Sequence, residues 1–211
     1  PLYSSAASDV YKRQAQQGRK KVVLEQQDKC TWRISCHAGQ PLVLRYQVYA
    51  FDNSVRTAWL DSQRGFFNGT SLCLRVHGQE HLKHQLHLPA VKGQPNWQAA
   101  TGLSPIKTDK RGFGLYGAES YDALVDCPVE LGAFWSGRFM ACGIPHRFVV
   151  AGALPSFDGE RLLADTQKIC ETAIRFWHGK GKPAGAKAPH KNYLFMLNAV
   201  HEGYGGLEHA N

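Results

Sequence analysis

The sequence predicts a mainly β fold: an N-terminal β-sandwich, then one helix and one further strand. Three observations carry this. Short runs of alternating apolar and polar residues, broken by Gly, Pro, Asn and Asp, fill residues 22–152. One stretch of helical periodicity follows at 160–177. After it comes a nearly continuous apolar run, YLFMLNAV at 193–200.

Residues 1–14, PLYSSAASDVYKRQ, show neither periodicity. SSAASDVYKRQ reads as translated adapter sequence or as a disordered tail, so the segment is expected to be non-native or disordered and is set aside. LVLRYQVYAF (42–51) then alternates Leu42, Leu44, Tyr46, Val48 and Ala50 against Val43, Arg45, Gln47, Tyr49 and Phe51. Asn68-Gly69 is a strong hairpin-turn signal, and Asn68-Gly69-Thr70 also has the form of a glycosylation acceptor. SLCLRVH (71–77) places Leu72, Leu74 and Val76 on one strand face, and RFVVAG (147–152) reads as another strand. In the helix, Leu162, Leu163, Thr166, Ile169, Cys170, Ala173, Phe176 and Trp177 recur at helical spacing. Ser156 or Asp158 is placed to cap its start and Gly179 to end it. YLFMLNAV reads as a strand buried on both faces.

The texture changes near residue 152. Residues 15–152 are therefore expected to form the β-sandwich domain and 153–211 the start of a second domain. About 60 residues are too few for an independent core, so the second domain is expected to be truncated.

The composition of the 211 residues, 43% hydrophobic and 20% charged, is that of an ordinary globular protein. No apolar run reaches the length of a membrane-spanning helix. The net charge of +8 is concentrated in two places: Arg19, Lys20 and Lys21, and a loop holding Lys180, Lys182, Lys187 and Lys191. The remainder is nearly balanced, which speaks against nucleic acid as a partner. None of the six cysteines forms a CxxC pair, and isolated cysteines on apolar segments read as reduced, buried thiols.

Four constellations have residue types that could carry chemistry. His201-Glu202 begins like the zinc-protease motif HExxH, but Gly205 stands where the second histidine is needed, and the neighbouring glycines disfavour a helix. Glu80, His81, His84 and His87 read as an exposed strand face, His81 and His87 on one side and His84 on the other. Asp122, Asp126 and Glu130 are spaced four apart, but Pro128 interrupts a helix that would gather them. In GYGGLEH, a glycine-rich segment after a buried strand lets a peptide backbone approach closely, and Glu208 is placed to pair with an ammonium group. Its plainer reading is a tight turn with an exposed Glu-His pair.

Taken in order, VYAFDNSVRTAWLDSQRGFFNGTSLCL (48–74), SYDALVDCPVELGAF (120–134), CGIPHRF (142–148) and YLFMLNAVHEGYGGLEHAN (193–211) resemble the bacterial glycyl aminopeptidase family. The resemblance implies a zinc metallopeptidase with an N-terminal β-sandwich, a thermolysin-like gluzincin catalytic domain and a PDZ domain. It implies further that GGLEH matches the strand that binds substrate backbone in related zinc aminopeptidases. Gly205, Gly206, Leu207, Glu208 and His209 would then bind peptide substrate, Glu208 taking its free amine. His209 stands where more distant relatives have Asn. Zinc is implied for the full-length enzyme, and neither zinc nor catalytic residues are expected in this fragment, which should be inactive alone. The alternative is a non-catalytic β-sandwich module that docks peptides.

Overall fold

The computed structural model describes residues 2–3, 10–179, 188–203 and 205–210. Alternation at 42–51 becomes the strand Leu42–Val48, whose inward side chains are those expected, with Val43, Arg45 and Gln47 exposed. It pairs with Val10–Gln17, which in turn pairs with Lys20–Val22. The strand Val10–Gln17 starts inside the segment set aside from fold reasoning, and Val10 and Ala15 are buried. The register shifts between Tyr11 and Gln14, and Lys12 has φ 49°. This bulge breaks the period of two, which is why alternation did not reveal the strand.

Two antiparallel sheets enclose the main core. One has the order His84–Leu88, Gly114–Ala118, Ser104–Thr108; the other has Gln98–Thr101, Val129–Gly132, Arg64–Phe67, Ala58–Leu60. Leu88 and Tyr116 from the first meet Phe67 and Val129 from the second, with Trp97 and Phe113 between them. A four-stranded sheet of Leu24–Gln26, Thr31–Ile34, Leu2–Tyr3 and Arg75–Val76 carries a smaller cluster around Trp32. The fold class is the mainly β one expected.

Two local readings are corrected. Asn68-Gly69 is not a hairpin turn: Asn68 caps the short helix Gly69–Leu72, accepting from Thr70 N at 3.1 Å and Thr70 Oγ1 at 2.7 Å. Asn68 is 4% exposed, so the side chain that would accept a glycan is buried. That helix also consumes the start of the strand expected at 71–77, leaving only Arg75–Val76.

Trp135–Ala141 and Ile144–Ala151 form a hairpin closed by Cys142 and Gly143, at φ 48° and 80°. Chain then crosses through the helix Gly159–His178 to Tyr193–Asn198, which pairs parallel to Ile144–Ala151 from His146↔Tyr193 to Ala151↔Asn198. The expected boundary at 152 thus follows a strand whose sheet continues in Tyr193–Asn198. Ala100 of the sandwich shares a small core with Phe134, Val149, Ala151 and Leu194.

Asp158 caps the helix through Arg161 N at 2.9 Å, and Gly179 ends it. A Cβ on Gly159 would sit 2.3 Å from the Trp135 ring, so the helix start needs glycine to lie this close to the sheet. The buried stripe is rotated from the one expected. Leu163, Cys170 and Ile174 pack on Phe139 and Ala141, while Ile169, Phe176 and Trp177 are exposed. The apolar residues span more than one face, and the sheet selects only part of them. Tyr193–Asn198 is likewise not buried on both faces: it is the edge of its three-stranded sheet, and Leu197 is exposed.

Candidate functional site

Beyond Asn198 the described chain turns back onto the sandwich, and the sequence-predicted residues lie there. Ser120 caps the helix Tyr121–Val125 by accepting from Ala123 N at 3.1 Å, and Asp126 ends it. The Asp126 carboxylate then holds the C-terminal segment at two points. Its Oδ1 lies 3.0 Å from His209 Nδ1, and its Oδ2 accepts from Ala210 N at 2.9 Å. A protonated His209 makes the first contact an ion pair; a neutral one with its proton on Nδ1 still donates a hydrogen bond.

A cleft of about 670 Å³ runs along this junction, lined by Arg56, Asn68, Thr70, Asp122, Leu207 and Glu208 among others. Glu208 is exposed and has no hydrogen-bond or ion-pair partner among the described residues. Gly205 and Gly206 are exposed, and a Cβ on either would meet nothing within 4 Å. The described residues 205–210 are in no strand. Tyr204 lies outside the described residues. Of the expected substrate-contact residues, Leu207, Glu208, His209 come together at the cleft. Its opposite wall comes from the sandwich.

The three acidic residues spaced four apart part company. Asp122 lines the cleft, Asp126 anchors the segment, and Glu130 enters the strand Val129–Gly132, where it is 2% exposed. Arg64 meets Glu130 in a fork, Nε and Nη2 each 2.7 Å from a carboxylate oxygen. Burial pushes the Glu130 carboxyl up from its ordinary value, against the pull of Arg64. Arg64 Nη1 also donates to Asn53 Oδ1 at 2.8 Å, and Asn198 Nδ2 donates to the same oxygen at 3.1 Å. This chain of polar contacts joins the sandwich to the end of the strand Tyr193–Asn198. No local sequence signal links Asn53 to Asn198; the relation is purely spatial.

His84 and His87 alternate in and out as expected, but the strand begins at His84, and His81 precedes it. His84 Nδ1 sits 2.7 Å from Leu82 O and its ring meets Tyr121 edge-on. Burial pushes the Cys73 thiol up to about 11, and burial together with Cys73 pushes Tyr46 and Tyr121 to about 12. All three are therefore protonated at neutral pH and unsuited to nucleophilic work.

Zinc is the metal that the resemblance implies. Among the described residues no three His, Cys, Asp or Glu side chains gather to hold a metal ion, so the residues present do not fit it. What they offer is a carboxylate on a held segment beside a cleft.

No curated protein sequence matches the chain. Among solved structures, an aminopeptidase N family protein from Idiomarina loihiensis is similar at 37% identity with a TM-score of 0.88, over 96% of this chain and 33% of that protein. This chain thus spans about a third of the length of that protein. An M1 zinc metallopeptidase from Deinococcus radiodurans shares the fold at 13% identity and a TM-score of 0.55, over 95% of this chain and 49% of its own. The model of the Peptidase M61 N-terminal domain matches residues 3–133, which include both sheets of the main core and the helix that ends in Asp126. The chain belongs to the Peptidase M61 N-terminal domain family.

Proposed function

We propose that this chain is the amino-terminal part of a zinc-dependent aminopeptidase, and that its segment 205–209 binds the backbone and free amine of the peptide substrate. Family membership supports the peptidase reading. The observation that carries the site is the pairing of a held backbone with a free carboxylate. Asp126 fixes His209 and Ala210, while the adjacent Glu208 lines the cleft without a partner among the described residues.

The chemistry follows from charge. A peptide's N-terminal ammonium near Glu208 gains a charge-assisted bond of about 1.5–3 kcal/mol. A residue inside a peptide has no such group, so the same contact selects chain ends. The glycines at 205 and 206 leave room for a substrate backbone to pass close. Glycine is the preferred N-terminal residue that the family resemblance implies. Zinc and the catalytic base belong to residues beyond this chain, so no hydrolytic step is assigned to it. The chain alone is expected to release no amino acid.

The test is hydrolysis of an aminoacyl p-nitroanilide by the zinc-loaded whole protein and by the 211-residue chain. Activity confined to the whole protein supports the reading. Zinc-dependent release by the chain alone, or no release by the whole protein, contradicts it.

A further inference from the structure

A second cavity, of about 550 Å³, lies between the floor of the hairpin Trp135–Ala151 and the loop at Thr108–Gly112. Its size is that of a small-molecule site. Four cations line it: Lys110, Arg111, Arg138 and Arg147. The one carboxylate among its lining residues is Asp109, already engaged. Asp109 Oδ1 accepts from Arg111 N at 2.8 Å and Phe113 N at 3.0 Å, and Oδ2 lies 3.8 Å from Arg111 Nη2. None of Lys110, Arg138 and Arg147 has a carboxylate partner among the described residues.

Arg138 and Arg147 are direct Cα partners on neighbouring antiparallel strands, so both side chains project from the same face. Like charges directly opposite destabilise a sheet. Arg147 is half-buried, and its Nε donates to Ser136 Oγ at 2.9 Å, which fixes the guanidinium above the strand. Burial, and then the charge of Arg138, pull its pKa below the usual value. The Arg147 guanidinium also lies over the Phe134 ring, 5.9 Å from its centroid, whereas Arg138 is exposed and has no hydrogen-bond or ion-pair partner among the described residues. A ligand carrying two negative charges removes the repulsion.

We propose that this cavity binds a phosphate dianion, held between Arg138 and Arg147 with Lys110 at the rim. Two planar guanidinium forks match a tetrahedral dianion, whereas one carboxylate neutralises a single arginine. Free phosphate and a phosphate monoester share this chemistry.

The test is the thermal unfolding midpoint of the protein in phosphate, in glycerol 2-phosphate, in glutarate and in chloride, at equal ionic strength. Phosphate is expected to raise the midpoint saturably by about 2–5 °C over chloride. A response to the ester as well places the phosphate on an organic ligand; a response to phosphate alone identifies the free ion. Arg138 is exposed, so Arg138→Gln leaves packing intact. It should hold or raise the midpoint in chloride, because repulsion is relieved, and abolish the phosphate response. Arg147→Gln should abolish the response too. Equal midpoints in phosphate and chloride overturn the proposal. So does an undiminished phosphate response in Arg138→Gln, or a response to glutarate with none to phosphate.

Discussion

Asp126 and His209 meet at 3.0 Å across 83 residues of sequence, and the same carboxylate takes the backbone N–H of Ala210. A residue that ends a short helix of the sandwich therefore sets where the last described residues lie. The contact is partly exposed, with Asp126 at 36% and His209 at 15% side-chain accessibility, so its effect is local rather than global. Asp126→Ala should release the segment with little change in the global unfolding midpoint. Hydrogen exchange checks this: the amides of 207–210 should lose protection while those of the strand Val129–Gly132 keep theirs. Unchanged protection at 207–210 would remove Asp126 from its anchoring role.

Arg64 and Glu130 form the best-buried ion pair described, at 14% and 3% side-chain accessibility. Removing one partner leaves the other buried without its match, at a cost of about 3–5 kcal/mol. Arg64→Met should therefore lower stability by about that much in urea unfolding. The double change Arg64→Met with Glu130→Leu should recover most of the loss, because an apolar pair carries no desolvation penalty. A double variant as weak as the single one would show that Arg64 acts chiefly through Asn53 and Asn198.

The helix Gly159–His178 separates two kinds of apolar residue. Ile174 is 6% exposed against Phe139 and Ala141, and Ile174→Ala should cost about 2–5 kcal/mol. Trp177 is 75% exposed, and Trp177→Ser should change stability by no more than about 0.5 kcal/mol. Equal losses at the two positions would show that the helix buries the other face.

His190 packs edge-on against the buried His146, beside Tyr193, and its Nε2 is buried without a hydrogen-bond partner among the described residues. Burial, then His146 and His178, pull its pKa below 6.5. The folded state thus binds fewer protons than the unfolded chain in the window just below that value. Stability should rise with pH through this window and be lost as pH falls through it. His190→Asn should flatten the slope of the unfolding midpoint in the window just below pH 6.5. An unchanged slope would assign the dependence to other groups.

Much of this was legible in the sequence because the period of side-chain burial was intact. Leu42–Val48 alternates, the run Phe148–Ala151 within RFVVAG is apolar without interruption, and Asp158 and Gly179 mark both helix ends. Legibility failed where geometry departs from a simple period. The bulge at Lys12 hid a strand, and Asn68 chose a helix cap over a turn because its side chain reaches Thr70. Gly69 fits there because a Cβ would come within 2.6 Å of Val125 Cα. Helix residues at apolar spacing did not reveal which face the sheet would take. At the candidate site, Glu208 and His209 were readable as a glycine-framed pair, but Asp126 was not. Its role depends on a contact between distant segments, which spacing within either segment does not encode.

The central claim is that Glu208 holds the substrate amine. The direct measurement is kcat/KM of the zinc-loaded whole protein and its Glu208→Gln variant on an aminoacyl p-nitroanilide. Losing one charge-assisted bond of about 1.5–3 kcal/mol predicts a fall of about 10- to 150-fold, with the unfolding midpoint unchanged. An undiminished kcat/KM in the variant would contradict the account and leave the cleft at Asp126 with no part in binding the amine.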